Sequence, residues 1–298
     1  MAILLKTKNQ RHEKSTLTIS ILYYYFYLLP RKLLLHLLNI TPKKQIFVLL
    51  YHSVEDVNHE NKLGLNVLPT IFEEQMRYLL ESPRSKIISL HEFEKLTNNK
   101  PNIDIDVDVD KYYFITFDDG LRNFLTGAMP ILHKYNLPAI LFAICKPYIS
   151  SHDKDHYEDG SGLPLLNKQQ LMKILKHPNI KVASHSLSHQ HNLCDLSKDR
   201  IVEDLKKSKE ILEAISGNPI NYYSCPHGKY NRKLIGIARQ IGYKKVFTSD
   251  CDSNTVGRDE FLVKRVEISG FDNLFKFKLK VNGAYNWKRF LKVLKIIF

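Results

Sequence analysis

The chain has 298 residues, 44% of them hydrophobic and 25% charged, proportions that exclude a disordered, collagenous or multi-span membrane chain. Lys and Arg number 44 against 31 Asp and Glu, and the resulting +13 sits at the ends: residues 1–44 hold eight basic and one acidic side chain, residues 270–298 seven and one. Residues 45–269 thus carry 44 − 15 = 29 basic and 31 − 2 = 29 acidic groups, and a neutral body argues against a nucleic-acid-binding protein, whose charge lies across a folded face.

In chain order, a basic lead from Lys6 to Lys14 precedes an uncharged run, Ser15 to Leu29, which as a helix spans about 22 Å and falls short of the roughly 30 Å hydrocarbon core. Pro30, Arg31 and Lys32 follow where a cleavable signal would place small residues. The segment reads as one lying in a membrane surface, with a signal-anchor span or a helix packed on the body as alternatives. Peripheral attachment at a cytoplasmic face is the expected localisation, against an extracytoplasmic signal-anchored form.

From Gln45 onward, candidate strands alternate with helical stretches. The strands fall at 46–54, 86–90, 112–119, 139–144, 180–186, 222–226, 244–249 and 262–268. Helical faces are marked by Phe72, Met76, Leu79 and Leu80, by Leu171, Ile174 and Leu175, and by Ile201, Leu205, Ile211, Leu212 and Ile215 after the cap candidate Ser197. This alternation predicts an α/β fold, a distorted (β/α) barrel of seven or eight strands. Residues 103–110, alternating acid with aliphatic, read as a solvated strand or insert edge. Four cysteines without a CxxC pair exclude a disulfide scaffold, and Cys145 and Cys225 read as buried thiols. The C-terminal run places Trp287, Phe290, Leu291 and Leu294 near one helical face edged by Lys288, Arg289, Lys292 and Lys295, which suits either an anionic membrane surface or a barrel-closing helix.

In a barrel, the carboxyl ends of the strands converge on one mouth. The polar residues predicted there are Tyr51 and His52, Asp118 and Asp119, His185 with His189, Cys225 to His227, and Arg265 with Glu267. Two imidazoles four residues apart can face one ion if the chain turns as it leaves its strand, and one carboxylate completes a three-ligand site with open positions. Of two adjacent aspartates in extended chain, one can bind a cation while the other faces the substrate and takes a proton from water.

The elements TFDDG (116–120) and HSLSH (185–189), with LLYHSV at the first strand, resemble the polysaccharide deacetylase family, the NodB-homology domain of carbohydrate esterase family 4. The resemblance covers residues 45–269 and makes them the catalytic domain, between an N-terminal membrane-associating segment (1–44) and a basic amphipathic tail (270–298). It implies a NodB-like barrel and the hydrolysis of N-acetyl groups on amino sugars of a polysaccharide or lipid-linked glycan. It makes Asp118 the general base and Asp119, His185 and His189 the ligands of one divalent ion, zinc being expected. An O-deacetylase or other amidohydrolase, or a silent glycan-binding member, are the alternatives.

Two departures from the family pattern stand out. Its Arg-x-Pro-Tyr motif reads Ser224-Cys225-Pro226-His227 here, so the arginine that orients the base is missing, and Arg265 at another strand end could supply it. Its late histidine, which protonates the leaving amine, is also missing, and His52 and His227 are the available substitutes. Tyr51, Pro226 and Gly228 are expected to touch the substrate.

Overall fold

The computed structural model describes residues 18–29, 43–56, 64–98, 106–149 and 162–284. Nine of the ten strands in the sheet that holds the site are β1 (Gln45–Tyr51), β4 (Ser85–Ile87), β5 (Lys111–Phe117), β6 (Ala139–Ala143), β7 (Ile180–Ser184), β8 (Tyr222–Ser224), β9 (Lys245–Phe247), β11 (Leu262–Val263) and β12 (Val266–Glu267). Strands β1, β5, β6, β7, β8, β9 and β11 pair in that order, all parallel. Residues 262–267 close the sheet on itself. Their first half, β11, pairs with β9 and their second half, β12, pairs with β1. The expected barrel is therefore present, nearly closed. β4 adds to the N-terminal half of β5, where Ser85 lies opposite Lys111, while β6 pairs with its C-terminal half at Thr116 and Phe117. Two pieces of strand lay outside the sequence expectation, being only two residues long: β10 (Asn254–Thr255), antiparallel to β1, and β3 (Asn66–Val67), beside β2 (Ser53–Val54).

Side-chain alternation along the strands divides the core in two. Ile46, Val48, Tyr112, Phe114, Ile140, Phe142, Ala183, Tyr222, Phe247 and Val263 point into the barrel. Phe47, Leu49, Tyr51, Tyr113, Ile115, Phe117 and Leu141 point outward against helices. Helix α1 (Pro69–Glu81) starts with Pro69, which needs no hydrogen-bonded N–H in the first turn, and buries Phe72, Met76 and Leu79 at i, i+4 and i+7. Leu80, grouped with that face by spacing, is exposed. Helix α2 (Leu90–Leu96), held by a capping box between Ser89 and Glu92, sends Phe93 into the barrel, where it stacks on Phe114 at 4.7 Å. Beyond α3 (Ala128–Lys134) and α4 (Lys168–Leu175) lies α5 (Lys198–Ser216), with Ser197 at its N-cap and Ile201, Leu205 and Leu212 buried. Helix α6 (Arg232–Ile241) covers β8 and β9.

Two expectations change with the fold. Residues 106–110 form a turn rather than a strand, with Val109 in the core and Val107 exposed, and Asp110 held bidentately by Arg84. The packed body also continues past 269: helix α7 (Leu274–Val281) buries Phe277 and Val281 in the core beside α1. The amphipathic face around Trp287 to Leu294 lies outside the described residues. Residues 18–29 are helical, and among the described residues no helix is long and apolar enough to cross a membrane. All four cysteines are free, and Cys145 and Cys225 are buried as expected.

Candidate active site

The period-two alternation that fills the barrel also builds its mouth. On β1 the inward series 46, 48, 50 reaches His52; on β5 the series 112, 114, 116 reaches Asp118; on β7, Ala183 is followed by His185; on β8, Tyr222 by Ser224; and on β11, Val263 by Arg265. Five chemically capable side chains from five strands thus reach one end because each continues an apolar inward row by one step.

Asp119 has the opposite parity and is brought in by the backbone. It adopts φ +70 and Gly120 φ +72, two consecutive left-handed residues. A Cβ on Gly120 would lie 3.1 Å from the Ala143 backbone, so the turn needs glycine for space as well as for conformation. Ser186 and His189 are also left-handed, at φ +69 and +54, each costing on the order of 1 kcal/mol in a residue with a Cβ. Ser186 Oγ accepts the His189 N–H at 2.9 Å and steadies this turn.

The result is a tight trio. His185 Nε2 lies 3.2 Å and His189 Nε2 3.3 Å from Asp119 Oδ1, and the three ligand atoms fall within 4.8 Å of one another. Asp119 Oδ1 is buried and accepts no hydrogen bond. Ligands about 2.0–2.2 Å from a tetrahedral ion stand roughly 3.3–3.6 Å apart, close to the two His–Asp119 separations, so these atoms can converge on one cation. His185 Nδ1 is 3.0 Å from the Ser224 carbonyl, which can only accept; the proton therefore sits on Nδ1 and leaves Nε2 free as a ligand. Burial pushes the His189 imidazole down to about 3, keeping its lone pair available. Burial opposes ionisation of Asp119, but the neighbouring His185 and His52 hold it well below the usual carboxylate range.

Asp118 faces a different partner. Arg265, fully buried, donates from Nη1 to Asp118 Oδ1 and from Nη2 to Oδ2, both at 2.7 Å. Its Nε donates to the Thr248 carbonyl at 2.9 Å and Nη2 also to Ser224 Oγ at 2.8 Å, while Ser224 Oγ donates to Asp118 Oδ2 at 2.9 Å. The arginine absent at Ser224 is thus replaced in space by Arg265, and the serine leaves the room its guanidinium occupies. Burial would raise the Asp118 carboxyl, but Arg265, then His185, hold it below the usual value.

The other predicted residues separate. His52 is partly buried, acts electrostatically on both aspartates, and its Nδ1 is buried without a hydrogen-bond partner. His227 stands exposed on the rim, its ring 4.4 Å from that of His189 and 4.7 Å from that of His191. Burial and the neighbouring His191 and His185 lower its pKa. Tyr51 is a core residue and not a substrate contact: it is fully buried, stacked on Phe117, and its hydroxyl donates to Gln75 Oε1 at 2.9 Å. Pro226 is buried, and Gly228, at φ +65, has no room for a Cβ, which would meet Ser249 at 2.6 Å; both shape the turn that presents His227. Ser224 was noted in the sequence only for the arginine it lacks, although its inward parity at the end of β8 is the signal that places it here.

Residues 107–246 match the family model for polysaccharide deacetylases. A poly-β-1,6-N-acetyl-D-glucosamine N-deacetylase of Staphylococcus aureus is 25% identical over 252 residues, covering 76% of this chain and 80% of that protein. The fold is similar to that of the Streptococcus pyogenes deacetylase PplD in complex with acetate, with a TM-score of 0.65 and 23% identity over 80% of this chain and 99% of that one. It is also similar to IcaB of Ammonifex degensii, with a TM-score of 0.66 and 21% identity over 81% and 97% of the two chains. With its barrel, its paired aspartates and its two histidines in one mouth, this chain carries across residues 107–246 a domain of the polysaccharide deacetylase family, of the NodB type.

Proposed function

We propose that the site hydrolyses N-acetyl groups on amino sugars of a polysaccharide, with Asp118 as the general base and Asp119, His185 and His189 holding one divalent cation. The observation that carries the reading is the pairing of a buried carboxylate clamped by arginine with a separate Asp-His-His trio whose ligand atoms lie within 4.8 Å of one another. The Staphylococcus aureus relative, an N-deacetylase of a β-1,6-linked N-acetylglucosamine polymer, supports the substrate class. A divalent cation held by Asp119, His185 and His189, zinc being the expected one, would polarise the acyl carbonyl and make water acidic enough to be deprotonated near neutral pH.

Asp118 supplies the base. Oδ2 accepts from both Arg265 and Ser224, whereas Oδ1 accepts only from Arg265 and keeps a lone pair for the proton of the attacking water. Arg265 keeps this carboxylate ionised despite burial and fixes its plane, so that the proton is taken without reorientation. A main-chain N–H of the His227 turn is the donor for the developing oxyanion; such a donor contributes about 3–4 kcal/mol to lowering the barrier. Protonated His52 returns a proton to the departing amine. It follows the Tyr51–Phe117 pair by one residue, opposite Asp118, and its unpartnered Nδ1 marks it as a group awaiting a ligand.

The enzyme should release acetate from N-acetylglucosamine oligomers. Asp118→Asn should abolish release while leaving cation content at one per chain; retained turnover would remove Asp118 as base.

Attachment to an anionic membrane surface through the basic ends is the second part of the reading. Leu22, Tyr25 and Phe26 of the helical segment 18–29 are exposed, the last at 78%, and Lys276 lies on α7 at the other end of the chain.

A further inference from the structure

One buried carboxylate lies behind the cation site, on the helix that follows it. Asp204, in the second turn of α5, is 6% exposed. Its Oδ1 accepts the Leu187 N–H at 2.9 Å and its Oδ2 the Ser188 hydroxyl at 3.1 Å. Two residues of the turn between His185 and His189, Leu187 and Ser188, thus each give it a donor. We infer that Asp204 is a positioning residue for the cation site, holding the His185–His189 turn in the shape that brings His189 against Asp119.

The two histidines differ in what fixes them. His185 ends a paired strand and is anchored through Nδ1 to the Ser224 carbonyl. His189 lies four residues further on, past left-handed Ser186 and itself left-handed, conformations that a free chain would avoid. Within that turn, the Ser186 carbonyl accepts from the Cys145 N–H at 3.1 Å and Ser186 Oγ from the His189 N–H, which leaves Leu187 and Ser188 to be held by Asp204. A carboxylate is suited to this because it is acceptor-only and can meet several converging N–H and O–H donors at once. An asparagine keeps the shape but turns one acceptor into a donor aimed at donors. Substitution of groups that orient metal ligands without touching the ion typically lowers affinity 10- to 100-fold.

The inference rests on the cation site proposed above, and the test separates the two. The full chain, stripped with chelator, is titrated with Zn2+ alone against a competing chromophoric chelator, and thermal unfolding is followed with and without Zn2+. The wild type should bind one Zn2+ tightly. Asp204→Asn should bind it 10- to 100-fold more weakly, and Ser188→Ala, a milder change on the partly exposed side, several-fold more weakly. In both variants the rise in melting temperature on adding Zn2+ should shrink more than the metal-free melting temperature falls, a pattern that a purely structural role would not give. Should Asp204→Asn fail to fold, Ser188→Ala still decides. Wild-type affinity in the folded variants overturns the role of Asp204 and leaves the cation site standing, whereas a wild type that binds no Zn2+ overturns both.

Discussion

Replacing Arg265 with methionine keeps most of the side-chain volume and removes the guanidinium from a site with no solvent to take its place. Four close hydrogen bonds go with it: two to the Asp118 carboxylate at 2.7 Å, one to Ser224 Oγ at 2.8 Å and one to the Thr248 carbonyl at 2.9 Å. The loss is dominated by Asp118, which is left buried with only Ser224 as a close donor, and breaking such a pair from one side costs about 3–5 kcal/mol. At roughly 2–4 °C per kcal/mol for a domain of this size, the melting temperature at pH 7 should fall by about 6–20 °C. The pH dependence carries the sign. In the wild type Asp118 titrates below its unfolded value of about 3.9, so the pair stabilises above that pH and the contribution is lost as pH falls through the folded value. Without Arg265, burial is opposed only by His185, His52 and the Ser224 hydroxyl, so the folded value rises and ionised Asp118 costs the variant stability. The difference between the two proteins, measured metal-free by calorimetry from pH 3.5 to 8, should therefore be largest near neutrality and narrow toward pH 3.5. In an Asp118→Asn background the same arginine substitution should cost far less. A pH-independent difference, or one below about 1 kcal/mol, would refute the clamp.

Other outcomes test the rest of the site. His52→Ala should slow acetate release by about 10²- to 10⁴-fold, the range of a lost proton donor, while His227→Ala should alter substrate affinity more than turnover; the reverse pattern would move the acid to His227. Gly120→Ala forces a Cβ to 3.1 Å from Ala143 at φ +72 and should destabilise by about 1–3 kcal/mol, read by denaturant unfolding, with weaker cation binding because Asp119 moves with it. The full chain should pellet with anionic vesicles at low salt and be released at high salt, whereas a fragment lacking residues 1–44 and 285–298 should stay in solution.

The two strongest motifs were legible because their chemistry is local in sequence. Adjacent aspartates before a glycine, and histidines four apart, need only a strand end and a turn to come together, and the left-handed Asp119, Ser186 and His189 supply those turns. Strand and helix alternation likewise announced the barrel, since β1, β5 and β6 are long enough to show it, whereas β3 and β10 are too short to do so. Tyr51 misled because a tyrosine at a strand end serves equally as a wet ligand contact or, through its hydroxyl on Gln75, as a satisfied core residue; the packing of α1 against β1 chose the second. The pairing of Asp118 with Arg265 arises only in the folded sheet. Arg265 stands 147 residues from Asp118 in sequence, and no local pattern connects them. They meet because residues 262–267 bridge β9 and β1, and that closure turns the parity of Val263 and Arg265 inward at the height where β5 ends. Sequence fixes which residues alternate on a strand; the register of a closed sheet decides which of those alternations converge.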